Sequence, residues 1–262
     1  MNKLLPAVCG ACLAFAPPFA LAFQPLITDD TGTQGTAGKQ IEFAINEERQ
    51  SAGSDSTRTL TLPLVFTLGL GDTLDAYVGL SHSKIRSTLP GASASGGGNP
   101  ALGAKWRFYE NEQSKTSLGL KPEIRLPVSS GSENAGLGSG RASYGAVLIL
   151  TQEVPFGAIH ANLASNRDRY RSSSGIPDAT STRISLAPVW DVTEQWKLAL
   201  DVGQETARAA GSDVRFRFAE IGVVYSPNKD LDFALGLVHG RDDANPGATT
   251  NTATLGVTWR SK

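Results

Sequence analysis

The chain has 262 residues, with 24 Lys and Arg against 25 Asp and Glu, for a formal net charge of −1. That balance argues against a polybasic nucleic-acid binder. Its two cysteines, Cys9 and Cys12, both lie near the start, so the rest of the chain has no disulfide, thiol or thiolate–metal chemistry.

The chain opens Met1-Asn2-Lys3, followed by an apolar run to Leu21 broken by Pro6, Pro17 and Pro18. Ala20-Leu21-Ala22 has the small-x-small form of a secretory cleavage site. The expected organisation is a signal peptide over 1–22, an N-terminal periplasmic segment over 23–37, and a single β-domain over 38–262. Beyond the leader no apolar run approaches the ~18 residues of a membrane helix.

What recurs instead is a period of two, the mark of a strand whose faces meet different surroundings. The first strand, near 38–49, alternates Ile41, Phe43 and Ile45 with Glu42, Ala44 and Asn46. The clearest unit is the hairpin over 60–80. Leu60, Leu62, Leu64, Phe66, Leu68 and Leu70 occupy the even positions, and the phase resumes at Leu74, Val78 and Leu80. A Gly/Ser-rich loop follows over 87–99. Strand four (100–109) sets Leu102, Trp106 and Phe108 against Gly103, Lys105, Arg107 and Tyr109. Strand five (114–128) sets Leu118, Leu120, Ile124, Leu126 and Val128 against Lys121, Glu123 and Arg125. Another flexible loop covers 129–140.

Strand six carries Tyr144, Leu148 and Leu150, its alternation blurred by Val147 and Ile149. Strand seven turns Ile159, Ala161 and Leu163 out and His160 and Asn162 in. Strand eight presents Ile184, Leu186 and Trp190. Strand nine opposes Trp196, Leu198, Leu200 and Val202 to Lys197 and Asp201. Strand ten (214–225) changes phase between Phe218 and Ile221, which reads as a bulge. Strand eleven presents Leu231, Phe233, Leu235 and Leu237. The last strand, 252–259, ends on Val257 and Trp259.

These are twelve strands. Five connections are short and six are longer and rich in Gly, Ser, Asn or Asp. Outer-membrane barrels have short periplasmic turns and longer external loops, and an even strand number leaves both chain ends periplasmic. Aromatic residues near strand ends suit an interfacial girdle. The expected fold is therefore all-β, a transmembrane antiparallel up-and-down barrel of the bacterial outer-membrane type. A secreted sandwich would instead place polar residues on the outward face of every strand.

The phase assigns an inward face holding Asp75, Tyr77, Lys105, Arg107, Lys121, Glu123, Arg125, His160, Arg183, Lys197, Asp201 and Asp232. Ionisable groups turned from lipid line a water path or pair with one another as interior filling. His82 and His239 fall in the outward phase. Ser81-His82-Ser83 invites comparison with a membrane lipase, but no third group orients the base. Asp29-Asp30 could cap a turn through Asx hydrogen bonds or bind a cation; two carboxylates alone make a poor cation site. No metal-ligand spacing or cofactor motif is present.

Thr28, Asp29, Asp30, Gly32, Thr33 and Gly35, followed by Gly38-Lys39-Gln40-Ile41-Glu42, form a segment that resembles the N-terminal signature of the transporter-like proteins named for the meta-pathway of phenol degradation. The resemblance implies an outer-membrane barrel that passes small, often aromatic or hydrophobic, compounds. It supplies no catalytic residue. Expected partners are outer-membrane lipids, the barrel-assembly machinery and a small-molecule solute, with no nucleic acid and no cofactor; the oligomeric state is open. The expected function is a passive channel whose N-terminal segment folds into the periplasmic mouth as a partial plug. The alternatives are a non-conducting structural barrel and, third, an enzyme.

Overall fold

The computed structural model describes residues 24–89, 91–244 and 247–262. The expected signal peptide lies outside the described residues. The strands are β1 (Lys39–Ala52), β2 (Asp55–Gly71), β3 (Leu74–Ser87), β4 (Ala94–Gly97), β5 (Ala101–Asn111), β6 (Thr116–Arg125), β7 (Ser143–Val154), β8 (Gly157–Asp168), β9 (Ala179–Asp191), β10 (Trp196–Ala209), β11 (Ser212–Asn228), β12 (Leu231–Asp242) and β13 (Thr249–Ser261). Each long strand pairs antiparallel with its sequence neighbour. β1 pairs with both β2 and β13, from Lys39↔Ser261 to Ser51↔Thr249 on the β13 side, which closes the sheet. The result is a twelve-stranded barrel. β4 is a short extra strand on the upper half of β3, pairing His82–Ile85 with Gly97–Ala94.

Alternation puts large apolar side chains on the outside. Leu70, Leu80, Ile184, Leu237 and Leu255 are all more than half exposed. In water such a surface would be untenable; in a bilayer it is the lipid-facing band, and closure leaves no sheet edge unpaired there. The interior is mostly polar, with Asp75, Ser143, Arg183 and Asp201 almost wholly buried. The stacked pair Phe156–Trp190 and the tilted pair Trp196–Tyr225, at centroid distances of 5.7 and 4.6 Å, mark the periplasmic rim.

Besides β4, which falls inside the expected 87–99 loop, four details differ from the sequence reading. β6 stops at Arg125 rather than running to residue 128, because Leu126 and Val128 bond to Pro100 and Ser139 in the neighbouring loops. The loop after it contains a short helix, α1 (Ser130–Asn134), capped by the Ser129 side chain. Tyr109 is turned outward instead of inward, because the register slips between Arg107 and Tyr109 and sets Tyr109 opposite Leu118. β11 carries no bulge between Phe218 and Ile221; its register with β10 is unbroken from Tyr225 to Ser212. The apparent phase change arises because Phe218, though apolar, faces the interior, where it is buried and stacks on Phe216.

Candidate functional site

The segment from Gln24 to Gly38 makes one lap around the inner wall of the barrel. It touches the strands in reverse order before it becomes β1. Gln24 lies over Gly256 of β13, and Pro25 over Gly236 of β12 and Gly222 of β11. Leu26 packs with Ala187 and Val189 of β9 and Ala199 of β10. The Ile27 amide donates to Glu220 of β11 at 3.2 Å. Thr28 donates through its amide and its hydroxyl to the two oxygens of Asp201 on β10, at 2.6 and 2.7 Å. Its hydroxyl also reaches Ser185 of β9. Asp29 exchanges two hydrogen bonds with the Asn162 side chain of β8. Thr31 bonds Thr151 of β7 and Ser117 of β6. Gln34 donates to Asp75 of β3, and the Ala37 amide donates to Gly69 of β2.

Close approach requires small residues where this belt crosses the wall. A Cβ at Gly69 would fall 1.7 Å from the Gly35 carbonyl oxygen, and one at Gly222 would fall 2.9 Å from the Pro25 ring.

The electrostatic clamp is Asp29. It is fully buried and accepts from Lys105 of β5 at 2.9 Å and from Lys121 of β6 at 2.5 Å. A carboxylate at such depth is stable only when paired and hydrogen-bonded. Asp29 is therefore an ion-pair anchor. The turn-capping role falls to its neighbour: Asp30 Oδ1 accepts the Gly32 amide, an Asx turn. At the periplasmic turn between β2 and β3, Asp72 accepts the Thr36 hydroxyl and amide and its backbone accepts Thr33. The Thr36 hydroxyl, then its amide, hold the Asp72 carboxyl below its usual range.

The inward-phase residues separate into levels. Asp75, Lys105, Lys121 and Asp201 anchor the belt. Arg107, Lys197 and Asp232 sit at the periplasmic rim, against Glu110 (3.4 Å), Asp191 (2.5 Å) and Arg260 (2.7 Å). His160 is buried beside the belt and shares a hydrogen bond with Thr151. Tyr77 and Glu123 meet above the belt through a 3.0 Å hydrogen bond, and the Lys121 ammonium stands 5.3 Å from the Tyr77 ring centre. Higher still, Arg125 pairs with Asp168 at 2.9 Å and Arg183 with Glu205 at 3.8 Å. Asn162, Ser185 and Glu220 also hold the belt. Their inward phase was readable, but nothing in their neighbourhood marks them as anchors. Among the described residues no group of three or more His, Cys, Asp or Glu is placed to hold a metal ion.

The belt leaves a cavity of about 790 Å³ on the side of β1–β3 and β13, lined by Glu42, Asp75, Tyr77, Lys105, Lys121 and Arg260 among others. Tyr77 and Val65 separate it from a void of about 10 Å³ beside Glu123 and Ala101. Tyr77 is thus the ceiling of the cavity. Its ring lies over Gly103, where a Cβ would come within 2.3 Å of the phenol oxygen.

Residues 28–259, from the belt to the last strand, match the family described as "Putative MetA-pathway of phenol degradation". The chain belongs to that family. The chain also resembles solved outer-membrane structures. A channel of Pseudomonas putida F1 superposes with a TM-score of 0.67 at 13% identity, over 88% of this chain and 98% of that one. The translocator domain of the autotransporter NalP from Neisseria meningitidis gives 0.52 at 10% identity, over 87% and 90%. The β-domain of the Bordetella autotransporter BrkA gives 0.53 at 16% identity, over 86% and 99%. At such identities the likeness is one of fold, and the fold is that of the Gram-negative outer membrane. No curated protein sequence matches the chain.

Proposed function

We propose that the chain is a passive outer-membrane channel for small aromatic or hydrophobic compounds, and not an enzyme. The observation that carries this reading is the cavity beside the belt. At about 790 Å³ it falls within the range of small-molecule sites. It opens toward the periplasmic rim and ends at an aromatic ring. Its lining offers Tyr77 and Val65 for apolar contact, with Lys105, Lys121, Glu42 and Asp75 for a hydroxyl. The description of the Pseudomonas putida F1 protein as an outer membrane channel agrees with it. Solute would pass beside the belt and displace the Tyr77–Glu123 bridge.

The test is uptake into liposomes bearing the refolded mature chain, with a phenol-sized aromatic and a sugar of similar size. The aromatic is expected to enter faster. Tyr77→Ala should raise both fluxes several-fold and narrow the preference, whereas Tyr77→Phe should change flux less. Equal rates for the two solutes would leave a general pore. No flux in the parent or in Tyr77→Ala would leave the second reading, a non-conducting barrel, which the interlocked belt and ceiling also fit. A hydrolase reading has little to stand on. His82 meets Ser95 at 3.1 Å, but on the exposed outward face. A lipase assay of His82→Ala against the parent is expected to read background in both.

A further inference from the structure

The outer wall of the barrel, as distinct from its lumen, carries an arrangement of charge that is independent of the channel reading. Along β11 the outward residues are Tyr225, Val223, Ile221 and Ala219, followed by Arg217 and Arg215. Along β12 they are Phe233, Leu235, Leu237 and His239, followed by Arg241. Both rows run from the periplasmic rim toward the external end. Arg217 lies eight residues above Tyr225. At ~3.4 Å per residue and a tilt of ~40° that is about 20 Å, near the upper edge of a ~25 Å apolar band. The arginines therefore stand at the headgroup level of the outer leaflet.

Arg217 lies directly opposite Arg241 in the β11–β12 register. Like charges so placed repel and destabilise the pair. Arg215 is one pleat further along the same face, ~7 Å away. The nearby carboxylates Asp213 and Asp243 form no ion pair with them. Asp213 is engaged by Arg208 at 3.1 Å. Asp243 accepts the Arg215 backbone amide at 2.7 Å rather than a guanidinium. Arg217 donates to the neutral Gln204. Among the described residues the Arg215 and Arg241 side chains pair with no carboxylate. The same outer face offers a control. On β1, β2 and β3, Arg49, Arg58 and Arg86 also lie opposite one another. There the chain supplies its own counter-charge, since Glu47 pairs with both Arg49 and Arg58.

We propose that Arg215, Arg217 and Arg241 form a binding site for a phosphorylated glycolipid of the outer leaflet, one whose headgroup carries two phosphates. The apolar stack beneath them receives the acyl chains. The three guanidinium forks take the phosphate oxygens in paired charge-assisted hydrogen bonds. A phosphomonoester carries roughly −1.5 to −2 at neutral pH. Two of them balance three arginines where one does not.

The mature chain, folded in detergent, is incubated with a hexa-acylated glucosamine-disaccharide bisphosphate and re-purified, and bound lipid or sugar is quantified by mass spectrometry. Comparison probes are the same lipid without phosphates, phosphatidylglycerol, and soluble glucosamine phosphate. The parent is expected to retain about one bisphosphorylated lipid per chain and little of the other three, and each guanidinium removed should weaken retention by roughly tenfold. Arg215→Gln/Arg217→Gln/Arg241→Gln should abolish it, while Arg49→Gln/Arg58→Gln retains it. Equal retention by the triple variant, equal retention of phosphatidylglycerol, or uptake of the soluble phosphosugar to the same extent would overturn the site. Heat-modifiable mobility on gels reports folding. If the triple variant does not fold, Arg241→Gln alone carries the test, and unchanged retention there overturns the proposal.

Discussion

Two buried carboxylates, one inside the lumen and one among the external loops, fasten an irregular segment in different ways. Asp29 fastens the belt to the wall: its partners Lys105, Lys121 and Asn162 come from three strands, β5, β6 and β8. Glu133 of α1, 1% exposed, fastens a loop to loops. It accepts the Gly140 amide at 2.9 Å, the Arg171 amide at 2.8 Å and the Arg171 guanidinium at 3.0 Å. Arg171 in turn reaches the Val128 carbonyl. Burial pushes the Glu133 carboxyl up, but the amides of Arg171 and Gly140 and the Arg171 guanidinium outweigh it and hold it below its usual range. The chemistry is alike and the mechanics are not. A segment tied to strands moves only when the barrel deforms. A segment tied to another loop moves when the pair of loops moves.

The sharpest way to break this contrast is Asp29→Ala. It strands two lysines in the interior, a loss of about 3–5 kcal/mol for a buried pair deprived of one partner. A lower unfolding midpoint in urea and a larger open-state conductance are expected; unchanged values in both would mean that the belt does not depend on its clamp. Next comes Gly222→Val, which pushes a side chain into Pro25 and Leu26. Overpacking of that kind costs about 1–3 kcal/mol. Because the outer wall is untouched, the barrel should insert normally while the belt becomes accessible to protease from the periplasmic side.

The external latch should give a smaller and local effect. Glu133→Gln loses the ion pair yet keeps hydrogen-bonding capacity, so the barrel's unfolding midpoint should hold while amides over 126–142 exchange faster. The same latch has a defined pH window. A carboxyl depressed in the folded state stabilises it above the ordinary Glu value of about 4.3, and that contribution is lost as pH falls through the lower folded value. Pepsin cleavage within 126–142 should therefore rise only below about pH 4. Release already at pH 6 would show that Glu133 is not the latch.

The twelve strands were legible because lipid on one side and a polar interior on the other impose a strict alternation, as in Leu60–Leu70. Phe218 shows the limit. An aromatic residue that faces the interior carries the same apolar signal as one that faces lipid, so it reads as a shift of phase. Strand ends were harder. Leu126, Pro127 and Val128 continue the alternation of β6, yet their backbone bonds go to loops. Five residues of helix after Ser129 leave no period to detect. The inward charges could be listed, but their partners could not. Asp29 answers Lys105 and Lys121 from more than seventy residues away, and nothing local distinguishes such a pair from a solvated salt bridge. Asp29-Asp30 looked like one motif and proved to be two residues with separate tasks.

The lap of the belt also sets an order of events. Ile27 is separated from its partner Glu220 by 193 residues, and Thr28 from Asp201 by 173. Contacts of such range form only after the intervening chain is arranged. The belt touches β13 at one end and β2 at the other, so its full set of partners exists only once β1 has closed against β13. The part of the described chain that is synthesised first is thus the last to find its place, and its docking reports that every strand is already in register.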